Sequence, residues 1–90
     1  MGTNLMGELV ANLGTYIVNN TTEATKTIDA IVVLQDTVFT SIKVAGTDVK
    51  STYIAAPGTA IKAGAIITPI NDVQFSGVQL ASGSVALVLG

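Results

Sequence analysis

The sequence predicts a small all-β domain, a β-sandwich or β-barrel, preceded by a short N-terminal helix or arm. Three observations carry this. Val, Ile and Thr supply 32 of the 90 residues, and these β-branched side chains favour extended backbone and pack well on a pleated surface. Nine glycines and two prolines break the chain at short intervals, as turns between short strands require. The run from Val38 to Val44 alternates, with Val38, Thr40, Ile42 and Val44 on one face and Phe39, Ser41 and Lys43 on the other. A chain of 90 residues is one small domain, divided here into an arm over 1–14 and a single β-domain over 15–90.

In the arm, Leu5, Leu9 and Leu13 recur every fourth residue with Met6 and Val10 beside them. Asn4 suits a helix cap and Gly14 a helix end, while Gly7 weakens the helix between them. Two roles stay open: an apolar arm docked on a neighbouring molecule, or a short helix closing one end of the domain. On the first, Leu5, Met6, Leu9, Val10 and Leu13 are candidate contacts with another subunit or a larger partner.

Strands are expected over 15–19, 25–34, 37–45, 49–54, 65–70, 73–81 and 84–89, with helix confined to the first 14 residues. Turns fall at 19–22, 45–48, 56–58 and 81–83. The segment from Asp29 to Leu34 is apolar on both faces, which predicts a central strand covered on both sides. Ser82-Gly83 suits a tight hairpin between the last two strands, because glycine tolerates positive φ. Pro69 lacks a backbone donor and belongs at a sheet edge or strand end. Near the C-terminus Val73, Phe75, Gly77 and Gln79 alternate with Gln74, Ser76, Val78 and Leu80.

An internal repeat lies at an offset of 36 residues, aligning Leu34–Ala45 with Ile70–Ala81. Each copy reads as a polar turn, an Asp (Asp36, Asp72), a three-residue step to a Phe (Phe39, Phe75), then an alternating strand. Asp side chains bond backbone N–H groups in turns, so Asp36 and Asp72 are candidate turn caps. The two phenylalanines are candidate core anchors. The copies are expected to form equivalent edges of a pseudo-symmetric sandwich.

Composition narrows the chemistry. Cys, His, Arg and Trp are all absent. Zinc sites built on Cys or His, thiolate or imidazole catalysis and guanidinium phosphate clamps therefore have no residues to use. Four lysines face six acids, for a net charge of −2, and aromatics are 4% of the chain. That is not the basic, aromatic-studded surface of a nucleic-acid binder. No apolar run approaches the ~18 residues of a membrane span, and no signal peptide is expected. Asp36 and Asp72 are the one conceivable carboxylate pair for acid–base work, but both sit in turn-like contexts. Asp29, inside an apolar run, needs a hydrogen-bond partner. The expectation is a protein that is not an enzyme, with no cofactor, no metal, no nucleic acid and no membrane among its partners.

The second half carries a resemblance. Asp36–Ile42 reads DTVFTSI, Ala55–Ile70 reads AAPGTAIKAGAIITPI, and Phe75–Leu89 reads FSGVQLASGSVALVL. In this order they resemble small virion proteins of tailed bacteriophages, the head decoration (cement) proteins and head-fibre base domains, over roughly residues 30–89. The chain departs from that pattern at Pro57-Gly58 and in lacking the final aromatic. The resemblance implies a capsid decoration protein on the outside of the head. It would be a homo-oligomer, a homotrimer, bound to the major capsid protein and localised to the virion, with no cofactor. The alternative is a fibre or tail-associated adhesion module that binds the host surface.

Overall fold

The structure, a computed structural model, describes residues 14–90. It contains β1 (Thr15–Val18), β2 (Ile28–Val33), β3 (Val38–Val44), β4 (Thr47–Asp48), one helical turn α1 (Lys50–Tyr53), β5 (Ile66–Ile67), a 3-10 turn (Ile70–Asp72), β6 (Gly77–Ser82) and β7 (Val85–Leu89). The strands make two antiparallel sheets, ordered β1-β7-β2-β5 and β4-β3-β6. Ile31, Val33, Val85 and Leu87 of the first sheet meet Phe39, Ile42, Val78 and Leu80 of the second in one buried cluster. Each such side chain contributes roughly 1.5–3 kcal/mol on burial. The fold is all-β and two-layered, and it does not close into a barrel. Isolated bridges, Ala24 to Val78, Ile28 to Phe75 and Thr37 to Ile61, add pairing at the margins of the sheets.

Two ladders set the topology. In the first sheet β2 pairs with β7, through Ile31↔Leu87 and Val33↔Val85. In the second β3 pairs with β6, through Val38↔Ser82 and Ile42↔Val78. Between them the links 34–37 and 83–84 run side by side, and the Leu34 and Gln35 N–H groups donate to the Ser84 carbonyl at 3.0 and 3.3 Å. The molecule is thus one long antiparallel ribbon folded over a corner, with β1, β5 and β4 added at its edges. The expected hairpin at Ser82-Gly83 is corrected accordingly: the strands that flank it lie in different sheets. Gly83 has φ +93°, and a Cβ there would press on Thr37 Oγ1 and come within 2.6 Å of the Asp36 carbonyl. Thr37 is fully buried at this corner, its hydroxyl 2.7 Å from the Gln35 carbonyl oxygen it donates to.

Strict alternation in β3 is also corrected. Phe39 pairs with Leu80 and Ser41 with Gln79, so Thr40 is an extra residue. This bulge reverses the faces and lets Phe39 and Ile42 both point into the core, while Ser41 is buried opposite Gln79. The Thr40 carbonyl accepts from Lys50 Nζ at 2.9 Å. A compensating shift at Ala81 on β6 restores the register.

The strand expected over 49–54 is instead α1, so helix is not confined to the first 14 residues. The cause is Asp48, whose Oδ1 accepts from the N–H groups of Ile42 (3.2 Å) and Lys50 (3.0 Å). An aspartate bonding the N–H two residues on turns the chain out of extension. The strand expected over 65–70 shrinks to β5. Beyond it Pro69 stands at the start of the 3-10 turn and Asn71 adopts φ 56°. β2 is internal to its sheet, but it is not covered on both sides: Ile28, Ile31 and Val33 are buried, while Asp29, Ala30 and Val32 are half-buried and Leu34 is exposed. The strand buried on both faces is β7, from Val85 to Val88, which is paired along both edges.

Candidate functional site

The acidic side chains are held in local brackets. Asp36 accepts from the Ala63 N–H at 3.1 Å and from Lys62 Nζ at 3.3 Å. The Ala63 hydrogen bond foremost, then the Lys62 ammonium, hold its carboxyl below the ordinary carboxylate range. Asp36 therefore pins a turn, but one far along the chain rather than its own. For Asp48 burial is the largest single influence and acts upward, yet the Lys50 and Ile42 N–H groups and the Lys50 ammonium together outweigh it and lower the pKa. Asp29 accepts from Gln74 Nε2 at 2.7 Å, and Glu23 pairs with Lys43 at 2.9 Å. A Cβ on Gly77 would lie 2.8 Å from Glu23 Oε2, so glycine at this position leaves room for that ion pair. The Asp72 side chain lies outside the described residues, and with it the Asp36–Asp72 pairing. Among the described residues no group of three or more acidic side chains is placed to hold a metal ion.

Phe39 and Phe75 are both buried. Phe75 meets Tyr53 edge-on, with ring centroids 5.1 Å apart. The repeat copies are not equivalent edges, since β3 is the middle strand of its sheet and β6 an edge. Leu5, Met6, Leu9, Val10 and Leu13 lie outside the described residues. Among the described residues no helix is long and apolar enough to cross a membrane.

Two clefts flank the segment before β2. One, of about 310 Å³, is lined by Thr25, Lys26, Thr27, Gln74, Phe75 and Ser76. The other, of about 110 Å³, is lined by Tyr16, Asn20, Thr22 and Glu23 among others. Lys26 Nζ stands 4.6 Å from the Tyr16 ring centroid, a cation–π contact that engages the face of the ring.

The feature the sequence reading missed is the outer face of the four-stranded sheet. The ladders place Ile17 beside Ala86, Ala86 beside Val32, and Val32 beside Ile66, an apolar row across all four strands. The next row is Thr15, Val88 and Ala30. Neither row carries a charge. Its walls are open, with Ile17 49% and Ile66 55% exposed, whereas Ala86 and Val88 on the central strand are 9% and 4% exposed. Leu34, the next outward position along β2, is also exposed. The signal was present in the sequence: a five-residue strand, Val85–Leu89, with no polar residue has two apolar faces.

Comparison with known proteins finds no matching family model, no matching curated protein and no matching solved structure.

Proposed function

We propose that the chain is a structural protein of a tailed-bacteriophage virion, a capsid decoration protein that binds the outside of the head as a homotrimer. The observation that carries the reading is how the polar chemistry is used. Each described carboxylate side chain, Glu23, Asp29, Asp36 and Asp48, is engaged by a partner within the fold, while the exposed large side chains include uncharged Leu34, Ile70 and Val73. Such a domain offers other surfaces shape and apolar area. The resemblance of residues 30–89 to cement proteins supports the same reading. A protein that binds only the assembled shell stabilises it by mass action, and many weak apolar contacts per particle suffice.

The adhesion alternative receives less support. Sugar sites stack aromatic faces, and of the two tyrosines the partly exposed Tyr16 has one ring face engaged by Lys26 while Tyr53 packs on Phe75.

The test is co-purification. Particles banded in a density gradient are disrupted into heads and tails, and the chain is quantified in each fraction by mass spectrometry. Decoration predicts the chain on heads, with trimers of the purified protein by light scattering. Its absence from both fractions overturns the reading, and its presence on tails alone replaces it with the adhesion module.

A further inference from the structure

Beside the start of β6, the segment leading into β2 forms a short ladder that opens in its middle. Ala24 and Val78 exchange N–H···O bonds at 2.9 and 3.0 Å, and Ile28 and Phe75 do so at 3.0 Å. Between these pairs stand Thr25, Lys26 and Thr27 on one side, but only Ser76 and Gly77 on the other. Unequal numbers of residues disrupt an antiparallel ladder locally. The Ser76 N–H donates to the Lys43 carbonyl at 2.7 Å, and among the described residues the N–H groups of Thr25, Lys26 and Thr27 meet no acceptor. At this gap lies the cleft of about 310 Å³.

Lys26 brings the charge to this gap. Lys43, Lys50 and Lys62 are each paired with a carboxylate, those of Glu23, Asp48 and Asp36. The acids three residues to either side of Lys26 are already engaged, Glu23 by Lys43 and Asp29 by Gln74 Nε2. Among the described residues Lys26 has no carboxylate partner, and its Nζ rests over the Tyr16 ring. A cation–π contact holds an ammonium in place without cancelling its charge. Thr25, Thr27 and Ser76 add hydroxyls to the lining. The Ser76 Oγ accepts from the Gly46 N–H at 3.0 Å, which leaves its own proton to donate.

We propose that this cleft binds a single carboxylate, presented by an acidic side chain of the shell surface on which the chain sits. An ammonium, hydroxyls and backbone N–H groups gathered at one small site suit an anion, because hydrogen bonds to a charged acceptor are the strong ones. Charge selects which anion. Asp29 is held beside the cleft on the Gln74 amide, and a phosphate dianion would double the repulsion that a carboxylate meets there. The volume stands at the low end of the roughly 300–1,000 Å³ of ligand pockets, which suits one side chain rather than an extended ligand. A lone ion pair near the surface binds weakly, so the partner is one that repeats: an oligomer that engages several such carboxylates at once gains by avidity. The shell as partner rests on the decoration reading, whereas the carboxylate site does not.

The test is a titration of the full chain, isotopically labelled for amide NMR, with N-acetylglutamate N-methylamide, which carries one carboxylate, and with its uncharged glutamine analogue. The expected result is saturable shifts of the Thr25, Lys26, Thr27 and Ser76 amides with the acid and none with the amide. Lys26→Gln should weaken the acid at least about tenfold, and Lys26→Arg, which keeps the charge, should retain it. Lys62→Gln, at an exposed ion pair elsewhere, should leave it unchanged. Shifts that do not saturate, an equal response to acid and amide, or an equal loss in Lys62→Gln would overturn the site. Inorganic phosphate binding more tightly than the acid would overturn the choice of a carboxylate. If Lys26→Gln fails to fold, Lys26→Met replaces it, with the same outcomes. The titration needs no particle, so its outcome is separate from that of the decoration reading. On heads that carry the parent chain, Lys26→Gln should lower occupancy at least about threefold at subsaturating protein, and unchanged occupancy would overturn the shell as the source of the carboxylate.

Discussion

Ile42 and Val78 face each other across the β3–β6 ladder, and they are the same position in the two copies of the 36-residue repeat. The neighbouring pairs follow the same rule. Ser41 opposes Gln79 and Lys43 opposes Gly77, and the repeat equates 41 with 77 and 43 with 79. A local two-fold axis therefore passes through the Ile42–Val78 pair, and the copies meet as antiparallel neighbours. In each copy the Phe and the aliphatic residue three positions later, Phe39 with Ile42 and Phe75 with Val78, are all buried. The symmetry is confined to the ladder: Phe75 packs against Tyr53 and bridges to Ile28, whereas Phe39 pairs with Leu80.

Because the two side chains meet at the centre of the core, Ile42→Ala is expected to cost about 2–5 kcal/mol and Val78→Ala somewhat less. The double variant should fall short of the sum by roughly 0.5–3 kcal/mol, since the second truncation enlarges a cavity already opened. Urea denaturation of the four proteins measures this. Strict additivity would show that the pair does not share a packed site.

The corner of the ribbon gives a second expectation. Gly83→Ala combines a left-handed backbone with a Cβ that meets Thr37 and the Asp36 carbonyl, and should cost roughly 2–5 kcal/mol. Gly64 has a similar φ of +95° but open space where its Cβ would go. Gly64→Ala should therefore cost only the backbone part, about 1–2 kcal/mol. Thermal or urea unfolding of the two variants separates steric collision from backbone strain.

The class of the fold and most of its strands were legible because β-branched content and alternation report burial directly. What escaped was set by contacts distant in sequence. The Thr40 bulge reverses the faces of β3, yet its register is defined by Leu80 and Gln79 on another strand. Ser82-Gly83 has the composition of a hairpin turn, but its partner is Thr37 rather than the adjacent strand. The helical turn after Asp48 was readable in principle, since Asp followed two residues later by a free N–H is a local turn signal. The β-branched Val49 and Thr52 and aromatic Tyr53 around it favoured a strand instead. The apolar outer face was hidden by its own composition, because a strand apolar on both sides does not announce which side meets the core.

The β3–β4 connection carries a third expectation. Ala45 and Gly46 link Val44 to Thr47 with φ of 51° and 82°. Positive φ at both central residues is what the type I′ hairpin turn demands, and Asn-Gly is its favoured sequence. Alanine in this conformation is strained by about 1–2 kcal/mol. Ala45→Asn is expected to raise stability by about 0.5–1 kcal/mol, seen as a higher urea midpoint. Ala45 is exposed, so the gain comes without repacking, and a lower midpoint would contradict the turn assignment.

The last expectation concerns acid. Asp36 and Asp48 both have pKa values lowered in the folded protein. A carboxyl whose folded pKa lies below its unfolded value stabilises the fold fully above the unfolded value, and the contribution is lost as pH falls through the folded one. Both should therefore act undiminished at neutral pH and fade below the ordinary carboxylate range. Asp36→Asn removes the charge beside Lys62, and Asp48→Asn removes the charge beside Lys50, while each amide oxygen can still accept the backbone N–H bonds. Each variant should be less stable than the parent at about pH 7, with the difference narrowing as pH falls below the ordinary carboxylate range and each carboxyl of the parent takes up its proton. Salt should narrow the neutral-pH gap for Asp36 more than for Asp48, because Lys62 is 85% exposed and Lys50 only 29%. Urea midpoints across that pH range decide it: a gap that persists unchanged into acid would mean that the amide has broken the backbone bracket itself, and that the Ala63 and Ile42 hydrogen bonds, rather than the charges, hold the turns.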